Sequence, residues 1–141
     1  MWPVKFEQRL IAWNQLRTSS KNLPIDQALA NINSWWNDTP WRAYHLHWDD
    51  RVTWPDPWEL LSDNIYCDIA RGLGILYTIA MIDRDDLEDV IFASTDQGNL
   101  VLVDSGKYIL NWGLELRLNT NLEQIKITNF VTKNEIKKQL Y

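Results

Sequence analysis

Apolar positions in the first part of the chain recur at the spacing of amphipathic helices. Over residues 3–17 apolar side chains stand three or four positions apart after an opening proline, which predicts a helix. A similar pattern over residues 24–36, again opened by a proline, predicts a second helix that buries either Trp35 or Trp36. We expect the two helices to form a hairpin over residues 1–36.

The pattern then changes twice along the chain. Between residues 37 and 64 the periodicity is lost and three prolines interrupt the backbone, which predicts an irregular, tryptophan-rich segment. Residues 65–82 are the most apolar stretch and predict a central, mostly buried helix. Short apolar runs separated by Gly- and Asp-containing turns then predict an antiparallel sheet of three to five strands over residues 87–132.

Helices followed by strands are typical of an α+β fold with an antiparallel sheet. The length of 141 residues fits a single domain over residues 1–141. Hydrophobic residues make up 45% and charged residues 23%, which is the composition of a folded protein and not of a disordered one. Gly72 and Gly74 lie inside the predicted central helix, where we expect them to permit close helix–sheet packing.

The acidic net charge narrows the class of partner. The 14 Lys and Arg residues against 19 Asp and Glu residues leave a charge of −5, which opposes the electrostatic attraction that supports nucleic-acid binding. No window approaches 18 uninterrupted apolar residues, and the first residues lack the pattern of a signal peptide. We therefore expect no nucleic-acid partner, no membrane partner and no secretion through a signal peptide.

The single cysteine, Cys67, stands about one turn inside the predicted start of the central helix. A thiol near a helix N-terminus feels the positive end of the helix dipole, which favours the thiolate, and nearby main-chain N–H groups can stabilise an oxyanion. This is a suitable position for a nucleophile, although buried cysteines also pack as small hydrophobic residues. A lone cysteine forms no internal disulfide, which indicates a reducing compartment.

The residues around this cysteine resemble a known class of enzyme. Pro57-Trp58-Glu59-Leu60-Leu61 leads into Cys67-Asp68-Ile69-Ala70, a long apolar helix follows, and the sheet contains Leu102-Val103-Asp104. This arrangement, over about residues 55–112, resembles the core of transglutaminase-like and papain-like cysteine enzymes. The resemblance implies that Cys67 is the nucleophile and that Asp104 is the carboxylate that orients a histidine base.

The histidine that the resemblance requires is missing from its expected place. The family supplies this base from the strand that follows the helix, but residues 87–94 contain no histidine, and none follows His47. A general base contributes about 10²–10⁴-fold to the rate of such reactions. His45 or His47 could replace it only if the tryptophan-rich segment folds back over the start of the helix.

Eight of the nine tryptophans precede residue 59. Four of them stand in the acidic, proline-containing irregular segment: Trp41, Trp48, Trp54 and Trp58. Tryptophan is enriched at protein interfaces, so packing against another subunit is the first interpretation. Indole rings also stack on sugars and cations, which is the alternative. Some rings, such as Trp13, are expected in the core.

The two histidines stand close together in the irregular segment. On an extended strand His45, His47 and Asp49 would share one face, as metal ligands often do, but the sequence offers no fourth ligand. We predict no metal and no cofactor.

Three hypotheses on function follow. The first is a non-catalytic protein-interaction module on a degenerate cysteine-enzyme-like fold, with other protein subunits as partners. The short, acidic, tryptophan-rich chain is similar in overall character to small proteins of tailed bacteriophages. This similarity implies a neck, tail or baseplate part of a virion, or a location in the host cytoplasm. The second hypothesis is a cysteine hydrolase or acyltransferase that uses Cys67, Asp104 and either His45 or His47. The third is a glycan- or cation-binding domain that uses exposed tryptophans.

Overall fold

The computed structural model describes residues 2–43, 45–118 and 125–140. Its helices are α1 (Phe6–Ser20), α2 (Ile25–Asn37), a 3₁₀ helix (Trp48–Thr53), α3 (Pro57–Asp63), α4 (Asp68–Ile82) and α5 (Lys133–Leu140). Its strands are β1 (Val90–Thr95), β2 (Gly98–Val103), β3 (Tyr108–Leu110), β4 (Arg117–Leu118) and β5 (Ile127–Thr132). The strands form one antiparallel sheet, so the predicted α+β class is confirmed.

The sheet has the strand order β4-β3-β2-β1-β5. Strands β1 and β2 form a hairpin in which Val90 pairs with Val103 and Thr95 pairs with Gly98. Gly98 has a φ of 125°, which a residue with a side chain rarely adopts, so glycine is needed at this turn. Strand β5 returns to the outer side of β1, and β2 thereby lies in the middle of the sheet.

Helix α4 is the centre of the core. Of its 15 residues, 12 are buried, because the other α-helices and one face of the sheet pack around it. The strands present alternate residues to it, such as Phe92 and Val101. The opposite face of the sheet carries a smaller buried cluster formed by Ala93, Leu100, Leu102 and Ile109. The predicted central helix is therefore present and mostly buried.

Two glycines let α4 approach its neighbours closely. A Cβ atom at Gly72 would lie 2.2 Å from the ring of Phe92 on β1, as expected for close helix–sheet packing. A Cβ atom at Gly74 would lie 2.3 Å from the ring of Trp36 on α2. The second glycine therefore serves a helix–helix contact, which the sequence did not predict.

The segment over residues 37–64 is more regular than expected. It contains the 3₁₀ helix and ends in α3. A capping box stabilises the start of α3. The Asp56 carboxylate accepts a hydrogen bond from the Glu59 N–H at 2.8 Å, and the Glu59 carboxylate accepts one from the Asp56 N–H at 3.1 Å. Pro57 occupies the first helical turn, where its missing N–H costs nothing. The interpretation of this stretch as irregular is thus wrong for its last residues.

Helix α4 begins three residues later than predicted. Asn64 ends α3 in the left-handed conformation, and Cys67 is extended, with a φ of −98° and a ψ of −176°. Asp68 is the first helical residue, and Cys67 is the N-cap residue of α4 instead of lying one turn inside it.

Helix α5 lies outside the elements predicted from the sequence. Ile136 is buried in the main core, and the buried Lys133 ammonium donates a hydrogen bond of 2.6 Å to the carbonyl of Leu87. Lys137 pairs with Asp83, the residue that ends α4. The basic C-terminal stretch is therefore attached to the core.

We expect this attachment to contribute stability that is lost in acid. Hydrogen bonding and charge from Lys137 hold the pKa of Asp83 below its ordinary value. A carboxyl with a depressed folded pKa contributes stability above its unfolded pKa, near about pH 4, and this contribution disappears as the pH falls through the lower, folded pKa. Asp83→Asn should therefore lose less stability on acidification than the wild type, as measured by urea unfolding across this pH range. Identical pH dependences would contradict the expectation.

Candidate functional site

A half-enclosed cleft of about 270 Å³ opens at the N-terminal end of α4. It is formed by the start of α4, the start of β2 and the loop that precedes the 3₁₀ helix, and we call it the Cys67 cleft. Its lining residues are Trp41, Ala43, Leu46, His47, Trp48, Cys67, Asp68, Ile69 and Asn99. The cleft thus combines a thiol, an imidazole, a carboxylate and an amide with indole and aliphatic surface.

The loop is attached to the protein on the side of Trp41. Trp41 forms a parallel bridge with Tyr66, and the N–H of Arg42 donates a hydrogen bond of 2.8 Å to the Tyr66 carbonyl. Arg71 of α4 donates to the hydroxyl and the carbonyl of Thr39 at 2.9 and 2.8 Å. These bonds place Trp41 beside the first turn of α4.

Cys67 lines the cleft and is 3% exposed. Its sulfur accepts a hydrogen bond from the main-chain N–H of Leu46 at 3.3 Å. Within the described ranges, no imidazole or carboxylate makes a hydrogen bond to this sulfur. Cys67 thus occupies the N-cap position of α4, but its thiol makes no capping hydrogen bond, and its partner is the main-chain N–H of Leu46.

The structure brings one of the two candidate bases into the cleft. His47 lines it, whereas His45 does not belong to the lining. The carbonyl of His47 accepts hydrogen bonds from the Trp54 indole at 2.9 Å and from the Asp50 N–H at 3.2 Å, while the residue as a whole is exposed. These two hydrogen bonds attach the main chain of His47 to the 3₁₀ helix and to Trp54.

Asp104 is not brought to the cysteine. It follows the last residue of β2, whereas the cleft lies beside the first residues of that strand. Its N–H donates to the carbonyl of Asp89 at 2.8 Å, and its φ of 56° places it in a turn. The β2 residue that does line the cleft is Asn99. The carboxylate role that the resemblance implies for Asp104 is therefore not supported by its position.

Sequence reasoning missed the two asparagines that shape the cleft. The Asn111 side-chain amide donates to the Asp68 carbonyl at 2.9 Å and to the Asn99 carbonyl at 2.8 Å, so it joins the first turn of α4 to β2. The Asn99 side-chain carbonyl accepts from the Trp48 indole at 2.8 Å. Asn111 has a φ of 65°, which asparagine tolerates better than most residues. No spacing in the sequence marks either residue, because both act between distant segments.

The four candidate binding tryptophans are divided between two places. Trp41 is 54% exposed, and the Arg71 guanidinium lies 4.9 Å from its ring centroid. Trp48 lines the cleft, and Trp54 packs edge-on against it with ring centroids 5.0 Å apart. Trp58 is on α3, where it packs edge-on against Trp13. Only Trp41 and Trp48 are therefore placed to contact a group in the Cys67 cleft.

Charges around the cleft partly balance. Asp68 is exposed at the rim, and Arg71 lies one helical turn further along α4. Burial lowers the pKa of Arg71, whereas Asp68 and Asp38 act in the opposite direction. Because a guanidinium stays protonated in proteins, Arg71 is a fixed cation outside the cleft lining, next to the ring of Trp41.

Two further features were looked for among the described residues: a cluster of metal-ligating side chains and a membrane-spanning helix. There, no three His, Cys, Asp or Glu side chains gather in a group that could hold a metal ion. Among the helices within those residues, none is long and apolar enough to cross a membrane.

Comparisons of the chain with protein-family models, with curated proteins and with solved structures find no match. The resemblance of residues 55–112 to cysteine enzymes therefore remains a prediction from the sequence.

Proposed function

We propose that this protein is a non-catalytic protein-interaction module and that the Cys67 cleft receives a side chain of its partner. The observation that carries the proposal is the pairing of a half-exposed indole, Trp41, with a thiol whose hydrogen-bond partner is a main-chain N–H. Tryptophan beside a pocket is a frequent anchor of interface hot spots. A thiol without an imidazole partner lacks the usual activation of a cysteine nucleophile.

Charge supports a protein partner with a basic contact surface. Over residues 38–63, six acidic residues stand against Arg42 and Arg51, which leaves this stretch at −4. Complementary charge accelerates and orients association between proteins. We propose that the partner is another subunit of an assembly. Because the short, acidic, tryptophan-rich chain is similar in overall character to small tailed-bacteriophage proteins, we propose that this assembly is a virion.

Site-specific photocrosslinking tests this proposal. The photoreactive amino acid p-benzoylphenylalanine at position 41 should form a covalent adduct with one defined protein in cells that express the chain. The same probe at position 58, on α3 and outside the cleft lining, is the matched control and should form no such adduct.

Filling the cleft provides the second part of this test. Ala43 is exposed and lines the cleft, so Ala43→Trp should occupy the space and abolish the adduct from position 41. An absent adduct, or one that forms equally from position 58 or survives Ala43→Trp, would refute a side-chain-binding role of the cleft.

A cysteine enzyme is the second candidate, because Cys67 occupies the N-cap position of a 15-residue helix and His47 lines the same cleft. In such a reaction His47 takes the thiol proton and the sulfur adds to a carbonyl carbon. Main-chain N–H groups of the first turn of α4 then hold the oxyanion. The proton goes to the leaving group as its bond to carbon breaks.

The rate of alkylation separates the two candidates. If His47 activates the thiol, iodoacetamide at neutral pH should alkylate Cys67 rapidly, and His47→Asn should slow the reaction, because the imidazole that takes the thiol proton is gone. If the module is non-catalytic, wild type and His47→Asn should be alkylated at the same rate. Rapid alkylation that depends on His47 would favour the enzyme.

A further inference from the structure

Strand β5 forms one edge of the sheet, and we propose that this edge pairs with β5 of a second copy of the chain to form an antiparallel dimer. The two five-stranded sheets then continue into one another across the dimer. No residue of β5 belongs to the lining of the Cys67 cleft, so this interface is separate from the proposed partner-binding site. The inference therefore goes beyond the proposed function and does not depend on it.

The two edges of the sheet are built differently. As far as the described residues reach, β4 consists of Arg117 and Leu118, whereas β5 has the six residues Ile127–Thr132. These six include no charged residue, no proline and no glycine, and four of them are exposed. In the described part of the chain, β1 is the only strand that pairs with β5. Since charges and prolines are what usually keep a long edge from accepting a strand of another chain, β5 is the open edge of this sheet.

A β-bulge gives this edge an apolar face. Phe130 pairs with Ala93 and Ile127 pairs with Thr95, so β5 has one residue more than β1 between these two pairs. Ala93 and Thr95 stand two positions apart and share one face of the sheet, and their partners Phe130 and Ile127 therefore share it too. Ala93 belongs to the smaller buried cluster on that face. Beside this cluster, Phe130 is 51% exposed and Ile127 is 45% exposed.

Antiparallel pairing brings these apolar side chains of both copies together. The two-fold axis of such a pair is perpendicular to the sheet, so the same face of both sheets lies on one side of the dimer. Phe130 and Ile127 of one copy then meet the same residues of the other copy in one patch. Apolar and aromatic pairs across neighbouring strands stabilise a sheet, and the patch also removes exposed apolar surface from water.

Charges at the two ends of β5 are complementary in the same arrangement. Lys126 stands directly before β5, and Glu135 follows the strand in the first turn of α5. Lys126 is exposed, and Glu135 remains 53% exposed although Arg51 approaches it to 3.8 Å. An antiparallel pair places the start of each strand beside the end of the other, so Lys126 of one copy faces Glu135 of the other. A parallel pair would place the two lysines side by side. This complementarity exists between two identical strands and identifies a second copy as the occupant of the edge.

The mass of the full chain in solution tests the dimer. Because one pair of strands is a small interface, sedimentation velocity should show a monomer–dimer equilibrium in the micromolar range. Phe130→Lys should raise the dissociation constant by about tenfold or more, because the two-fold axis places the new charge on both sides of the interface. Leu118→Lys is the matched control, since it makes a similar change at an exposed position of the other edge, and it should leave the constant unchanged.

A charge reversal tests the antiparallel arrangement, and it replaces Phe130→Lys if that variant fails to fold. Lys126→Glu should weaken the dimer because it brings two carboxylates together, and the addition of Glu135→Lys should restore it. The dimer is refuted if the wild-type chain is monomeric throughout the micromolar range, or if Phe130→Lys and Lys126→Glu both leave the dissociation constant unchanged. A dimer that Leu118→Lys weakens to the same extent would also contradict the assignment to β5.

The dimer and the partner of the cleft can fail separately. A monomeric chain that still forms a cleft-dependent adduct from position 41 would overturn the dimer and leave the proposed function standing. A dimer that depends on Phe130 and Lys126, without any adduct from position 41, would support the β5 interface and overturn the cleft as a binding site.

Discussion

Gly74→Ala is expected to destabilise the protein by about 3 kcal/mol, because overpacking a rigid core usually costs about 1–3 kcal/mol and this contact is unusually close. The new Cβ would lie 2.3 Å from the ring of Trp36. Trp36 is fully buried, and its indole N–H is held by the Thr78 hydroxyl at 2.9 Å, so the ring cannot retreat without losing that bond.

The sign of this effect is informative. In a helix interior without crowding, alanine is more favourable than glycine by about 1 kcal/mol. Urea unfolding followed by circular dichroism should therefore show a large loss where helix propensity alone predicts a gain. In the Trp36→Phe background the same glycine substitution should cost less, since the smaller ring leaves room. A neutral or stabilising Gly74→Ala would mean that α2 and α4 are not in such close contact.

Thr78→Val is expected to destabilise the protein by about 2–5 kcal/mol, because it leaves two buried donors unpaired at about 1–3 kcal/mol each. The Thr78 hydroxyl accepts hydrogen bonds from the indoles of Trp13 and Trp36, both at 2.9 Å, and donates one of 2.7 Å to the carbonyl of Gly74. Valine has the same shape but lacks the oxygen, so the loss reports on hydrogen bonding and not on a cavity.

Thr78→Ser is the matched control for this substitution. Serine keeps the hydroxyl and removes one methyl group, which should cost about 1 kcal/mol. Equal losses in the valine and serine variants would mean that the indoles find other acceptors and that the shared hydroxyl is unimportant. Thermal unfolding of the three proteins at one pH is sufficient for the comparison.

Local sequence patterns predicted the main helices and the sheet well. The apolar run over residues 65–82 predicts a central helix because almost every side chain in it favours burial, and α4 is indeed buried on most sides. Short apolar runs separated by turns predict an antiparallel sheet, and one face of that sheet packs on α4. The first two helices were predicted for the same reason, since their periodicity is contained within the helices themselves.

Helices α3 and α5 were not predicted, and their sequences differ in how much local evidence for a helix they contain. Helix α3 was readable from Asp56, Pro57 and Glu59, whose order is typical of a capped helix start, but the surrounding prolines favoured an irregular interpretation. Helix α5 is basic and polar, and it is held by Ile136 and by the buried Lys133. Such a helix depends on the surface it covers, which a local pattern does not contain.

The candidate site was predicted only in part. Cys67 was singled out because it is the single cysteine and lies near a helix start. His47, Trp41 and Trp48 were named as candidates, and all three line its cleft. Asp104 was placed by analogy and lies at the other end of β2. The roles of Asn99 and Asn111 could not be predicted, because each joins segments that are far apart in the sequence.

The chain's own pattern was enough to establish an α+β class, a buried central helix and a lone cysteine near its beginning, because helical and strand periodicities depend on neighbouring residues. Folding decided which tryptophans face solvent, which histidine lines the same cleft as the thiol and where the helix begins. These outcomes depend on how residues 41–43, 46–48, 67–69 and 99 come together around one core. Burial and hydrogen bonding between distant segments determine this arrangement, and no local spacing in the sequence encodes it.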